Sequence, residues 1–148
     1  MDYNRFGDTI YLRVDRGEEI METLLAVCRR EGVQSATFSG IGGCGEAQLQ
    51  TFLPEKGAFE TETFTGALEL VSLLGNVISD EKGELFRHAH ALFTFRAGNE
   101  PRVCGGHLKS AVVRYTAEIE LRPVIGGAIG RTFDPETGTG FWKLHGDA

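Results

Sequence analysis

Between Ile10 and Val14 the apolar residues Ile10, Leu12 and Val14 alternate with Tyr11 and Arg13, the period-two rhythm of a strand, and Asp15 to Gly17 follows as a turn. The rhythm then changes. From Glu18 to Glu31 the apolar positions Ile20, Leu24, Leu25, Val27 and Cys28 recur at helical spacing. Glu18 and Glu19 at the start and Arg29 and Arg30 at the end complement the helix dipole, and Gly32 supplies the stop. After a short segment, Gln34 to Ser39, alternation returns over Ala47–Leu53 and closes in the turn Pro54 to Gly57. Phe59 to Phe64 is extended. The run "GALELVSLLGNVIS" places Leu68, Leu70, Ser72 and Leu74 on one face and Ala67, Glu69, Val71 and Leu73 on the other, too apolar on both sides for an exposed edge, and so predicts a central strand. The turn "SDEKGEL" leads into "LFRHAHALFTF", whose Ala89, Ala91, Phe93 and Phe95 face a core, and "RAGNEPR" leads out of it toward "VCGGHL". Val113, Tyr115, Ala117, Ile119 and Leu121 form a last half-buried strand, and "DPETG" further on is a turn. The sum is a single domain over residues 1–148 with about seven strands in a mostly antiparallel or mixed sheet, one helix, and room for a second helix near Ile125 or Pro101.

A chain of 148 residues can bury a sizeable core without disulfides or metal, so any metal here serves function rather than folding. Its apolar and charged fractions, 41% and 24%, are those of a soluble globular protein, and no apolar run approaches a membrane span. The first residues, MDYNRFGDTIYLRVDRGEE, lack the apolar stretch of a signal peptide, and the expectation is a cytoplasmic protein. Cys28, Cys44 and Cys104 lie far apart without a C-x-x-C pair and read as reduced, buried thiols. The formal charge of -6 repels phosphate backbones, and the basic residues are scattered, Arg29 with Arg30 being the one adjacent pair.

Two glycine-bearing stretches raise chemistry. "SGIGGCGEA" has the spacing Gly40-x-Gly42-x-x-Gly45 of a dinucleotide loop, but that loop needs a helix to follow, and a strand pattern follows instead. A glycine-rich turn between strands, with backbone passing close to a neighbour, is the expectation. In the second stretch, His88 and His90 stand two apart on a strand and project from one face, close enough for both imidazoles to reach one ion. His107 follows Gly105 and Gly106, and if "AGNEPR" is a hairpin tip it falls back beside them. Three neutral imidazoles with an open fourth position typify ligand-accepting zinc; the competing reading is a set of solvated or hydrogen-bonded histidines on an ordinary strand. His145 is expected at the surface. Cys104 lacks a nucleophile's partners, and Glu69, a carboxylate on a central strand, is expected to pair with an arginine, to orient a histidine or to lie in a subunit contact.

The ordered set "GIGGCGEAQL", "GALELVSLLGNV", "HAHALFTF", "VCGGHL", "TAEIEL" and "RTFDPETG" spans most of the chain and resembles the plant and prokaryote conserved (PPC) domain family. The resemblance implies an α/β (α+β) domain with a mixed, largely antiparallel sheet of about seven strands flanked by helices, assembling as a homotrimer. It also implies a shared metal site, zinc, on His88, His90 and His107 near a subunit interface. Two departures bear on function. There is no AT hook or basic extension, and Ala67 and Leu68 stand where the plant motif reads Arg and Phe. DNA, or a DNA-binding partner, is therefore an expectation that the acidic charge does not support. Two functions follow: a metal-containing trimeric module with a DNA-associated or regulatory role, or a small zinc-dependent enzyme on a small-molecule substrate, with Glu69 and Glu118 as candidate bases.

Overall fold

Three strands of 19, 22 and 24 residues carry most of the fold in the computed structural model, which describes residues 1–80 and 82–144. In chain order the elements are β1 (Asp2–Phe6), β2 (Thr9–Asp15), α1 (Ile20–Arg30), β3 (Ser35–Leu53), β4 (Ala58–Ser79), β5 (Leu85–Ala97), β6 (Glu100–Pro123), β7 (Gly130–Asp134) and β8 (Thr139–Lys143). The first six strands form one sheet in the order β1-β2-β6-β3-β4-β5, and β5 pairs again with β6. That second pairing closes β3, β4, β5 and β6 on themselves. One edge of β6 serves two partners: residues 100–107 meet β5, and residues 116–121 meet β2. The remaining two strands, β7 and β8, form a separate hairpin.

This is a sheet-rich single domain whose sheet is antiparallel throughout the described strands, the first of the two arrangements the sequence allowed, and it corrects the sequence reading in two ways. The described strands number eight rather than about seven, and one helix is present where flanking helices were expected. No second helix forms near Pro101, which sits in β6 opposite Arg96, or near Ile125, which lies in irregular chain between β6 and β7. Two opposite effects set the count: β1, β7 and β8 were not expected as strands, and glycine made single long strands look like two. Gly40 to Gly45 is not a turn but the middle of β3, where register shifts against β4 and β6 mark bulges. The expected close approach is there: a Cβ on Gly42 would stand 2.7 Å from the Ala117 Cα and the Thr116 carbonyl oxygen. Gly66, at φ +122, lets β4 continue across the matching irregularity, so two predicted strands fuse into one.

The inner face of the curled sheet buries Leu68, Leu70, Leu73 and Val77 from β4 and Ala89, Ala91 and Phe93 from β5, with Phe93 fully buried. Against it pack Ile20, Met21, Leu24, Leu25, Val27 and Cys28 of α1. Each fully buried large side chain contributes about 1.5–3 kcal/mol. Glu19, expected inside the helix, is its N-cap. One carboxylate oxygen accepts from the Glu22 N–H at 2.7 Å and the other from the Ala111 N–H at 2.8 Å, so the helix start is tied to β6. Gly32, at φ +64, stops the helix as the sequence implies.

Candidate metal centre

The tip Gly98–Asn99 joins β5 to β6, and the hairpin register it sets places His90 directly opposite His107. On the other side of β5, Asn76 of β4 lies opposite His88 and Leu74 opposite His90. Strand alternation explains the facing. Ala89 and Ala91 point into the core, so His88 and His90 point out, and Leu108 points in, so His107 points out beside them. Gly75 lies beneath this pair of histidines, where the Phe38 ring and the His88 carbonyl leave no space for a Cβ. Gly106 similarly admits the Gln50 carbonyl, 3.0 Å from where its Cβ would be. The two glycines bring the strands carrying the site together.

The ligand nitrogens of His88, His90 and His107 all lie within 4.8 Å of one another. Ring centroids are 5.2 Å apart for His88 and His90, 5.1 Å for His88 and His107, and 4.2 Å for His90 and His107. Tetrahedral zinc with bonds of about 2.0–2.1 Å needs nitrogens about 3.3 Å apart, somewhat closer than the outer limit of 4.8 Å here. Two of the three imidazoles are shifted toward the neutral, donor form. Burial, reinforced by the neighbouring His90, lowers the pKa of His88 from the usual 6.5. Burial first, then His90 and His88, does the same to His107. No carboxylate joins the cluster among the described residues.

The other candidates lie elsewhere. Glu69 is exposed opposite Thr94, five positions along β4 from the residue facing His90, or roughly 16 Å of strand, and makes no ion pair among the described residues. Glu118 lies opposite Arg13, eleven positions beyond His107 on β6. Within one chain neither reaches the cluster. Cys104, three residues before His107, turns toward the core, and burial raises its thiol pKa. Cys28 and Cys44 are fully buried, and burial pushes both up to about 12, so they stay protonated. His145 lies outside the described residues.

Spacing gave no sign of the groups around the cluster. Phe59, at the start of β4, sets its ring edge-on to His107 at a centroid distance of 5.2 Å. The β7–β8 hairpin brings Arg131, Phe141 and Trp142 to the same cleft as His88 and His107. The signal in the sequence was slight, an arginine and two adjacent aromatics in a glycine-rich tail.

A curled antiparallel sheet with one helix, bearing three clustered imidazoles on its outer face, defines a small β-rich domain with the donor set of a metal site. Comparison with known proteins gives that class a family. The chain belongs to the Plants and Prokaryotes Conserved (PCC) domain family, the PPC family, whose description matches residues 1–125. A plant- and prokaryote-conserved protein of Pyrococcus horikoshii is 33% identical, with a TM-score of 0.79 over 98% of this chain and 95% of that one. A metal-containing protein of Archaeoglobus fulgidus is 30% identical, with a TM-score of 0.80 over 97% of this chain and 99% of that one. A proposed DNA-binding protein of Bacteroides thetaiotaomicron is 26% identical, with a TM-score of 0.86 over 97% of this chain and 96% of that one. No functionally curated protein matches the chain.

Proposed function

We propose that this PPC-family chain is a metal-binding, homotrimeric domain of the cytoplasm with a regulatory or DNA-associated role, and that zinc is its metal, held by His88, His90 and His107. The observation that carries the metal reading is the cluster of three nitrogen donors within 4.8 Å on adjacent strands. Imidazoles suit zinc, and three of them leave a fourth position open to a ligand. The metal-containing relative from Archaeoglobus fulgidus supports the same reading. When bound, the ion would supply a Lewis acid at the outer face of the β5–β6 hairpin. The trimer finds support in an apolar patch on the outer face of the sheet, where Ile41, Val71, Leu74 and Leu92 are exposed. For location, no helix among the described residues is long and apolar enough to cross a membrane.

Two experiments test this reading. Protein purified without added metal should contain zinc in near-equimolar amount by elemental analysis, and a His88→Ala His90→Ala variant should contain little; equal zinc in both would sink the metal site. For the DNA-associated role, the relative from Bacteroides thetaiotaomicron is the support, and the charge of -6 argues that contact with DNA runs through a partner. A fluorescence-anisotropy titration with duplex at low salt, where electrostatic attraction is strongest, should then show no binding. Saturable binding there would overturn the partner route in favour of direct contact.

A second reading, a zinc-dependent enzyme acting on a small molecule, is favoured by one observation: His88 and His107 open onto a cleft large enough for a substrate. Among the described residues the cleft has no carboxylate to act as base, which ranks this reading below the first.

A further inference from the structure

The β7–β8 hairpin lies beyond residue 125, where the family match ends, and forms one wall of a cleft whose other wall includes His88 and His107. The cleft holds about 690 Å3, within the roughly 300–1,000 Å3 that encloses a small organic molecule. Charge narrows the choice of molecule. In a chain of net charge -6, this cleft is lined by Arg87 and Arg131 and, among the described residues, by no Asp or Glu. Arg87 has Glu22 3.8 Å away, a distant partner. Arg131 has none within 4.0 Å among the described residues. Its guanidinium instead lies 4.7 Å from the centroid of Phe86, and it crosses β8 so closely that a Cβ on Gly140 would stand 2.5 Å from its Nε. A guanidinium over an aromatic ring, with no carboxylate partner in the chain's described residues, has N–H donors for a planar acceptor, and a carboxylate is the matching fork. Phe59, Phe141 and Trp142 supply flat apolar walls.

We infer that this cleft binds a small organic carboxylate with an aromatic or branched apolar body, its carboxylate on Arg131 and its body between the hairpin aromatics and the histidine face. The inference deepens the metal reading and rests on it for the floor of the cleft, where an ion on the three histidines would offer its open position to the same ligand. Charge recognition belongs to Arg131 and shape to the aromatic walls. The metal adds affinity without setting either.

Trp142 is the chain's one tryptophan, so its emission reports on the cleft directly. Zinc-loaded and chelator-treated protein are titrated with benzoate and with benzamide, which share a shape and differ in charge. Benzoate should change the emission saturably and bind at least about tenfold more tightly than benzamide. Arg131→Gln should weaken benzoate by roughly tenfold or more with zinc content unchanged, and Arg131→Lys should restore part of the loss. Near-ultraviolet circular dichroism checks that each variant keeps the fold. No saturation with benzoate, equal binding of the two probes, or an Arg131→Gln variant that binds like wild type would overturn the inference. The metal reading fails on a different result, the absence of zinc from the wild-type protein, and the benzoate and benzamide comparison on chelator-treated protein still decides the cleft.

Discussion

Gly75 lies where β4 packs against the backbone of His88, one of the proposed metal ligands. A side chain there would collide with the Phe38 ring, and its Cβ would stand 2.5 Å from the carbonyl oxygen of His88. Gly75→Ala must therefore move either the ring or the strand that carries His88. Overpacking of this kind costs about 1–3 kcal/mol. The expected outcome is a lower urea midpoint with an unchanged slope, together with weaker zinc uptake, because the displaced backbone belongs to a proposed ligand. A variant with wild-type stability would show that β4 and β5 have slack beneath the site. At this scale the sequence was informative in one direction only. His88 and His90 could be placed on one face by alternation, and His107 followed from the hairpin tip. Gly75 gave no sign of its role, because the Phe38 ring that excludes a Cβ comes from a strand nearly forty residues earlier.

Elements were legible where a local pattern alone determines them. The helix and its Gly32 stop, the turn at Pro54 to Gly57 and the "DPETG" turn all form as their residues imply. The long strands were not, since a bulge looks like a break when read along the chain and like continuity only beside its partner strand. The bulge between Leu70 and Ser72 shows the consequence: Leu68 and Leu70 are buried as one face, but the next buried residue is Leu73, and Leu74 turns outward. The β7–β8 turn supports a prediction. Asp134 accepts from the Thr137 hydroxyl at 2.7 Å and from the Glu136 and Thr137 N–H groups at 3.1 Å, and these bonds, the hydroxyl's foremost, hold its carboxyl below the ordinary 3.8. A lowered folded value means a contribution to the hairpin that is complete above 3.8 and lost as the pH falls through the lower value. Trp142 on the following strand should report this as a red shift in emission on acidification. Asp134→Ala should show the shifted emission already at pH 7 and lack the acid step; identical titrations would mean that the carboxylate does not hold the hairpin.

Across the whole molecule, the unresolved question in the sequence was why β4 is apolar on both faces. It lies between β3 and β5, as a central strand should, yet its outer face leaves Leu74 60% and Val71 48% exposed. Periodicity separates the two faces of a strand but cannot say whether the second meets a helix, another layer of the same chain or another copy. Here nothing from the same chain covers it among the described residues. Ile41 and Tyr11 extend the patch on one side, and Leu92 continues it on the other toward His90. A proposed trimer would bury this surface three times over and bring each interface up to a histidine cluster. Fully burying a Leu or Val side chain contributes about 1.5–3 kcal/mol, so a carboxylate at two central positions should outweigh the gain from the rest. Light scattering should give a mass about three times the 16.2 kDa of the chain. Val71→Asp Leu74→Asp should give the mass of one chain with an unchanged far-ultraviolet spectrum, because both side chains are exposed in the single chain and the core does not depend on them. A double variant that keeps the wild-type mass would place the subunit contact elsewhere, and a monomeric wild type would remove the trimer and leave the patch to a different partner.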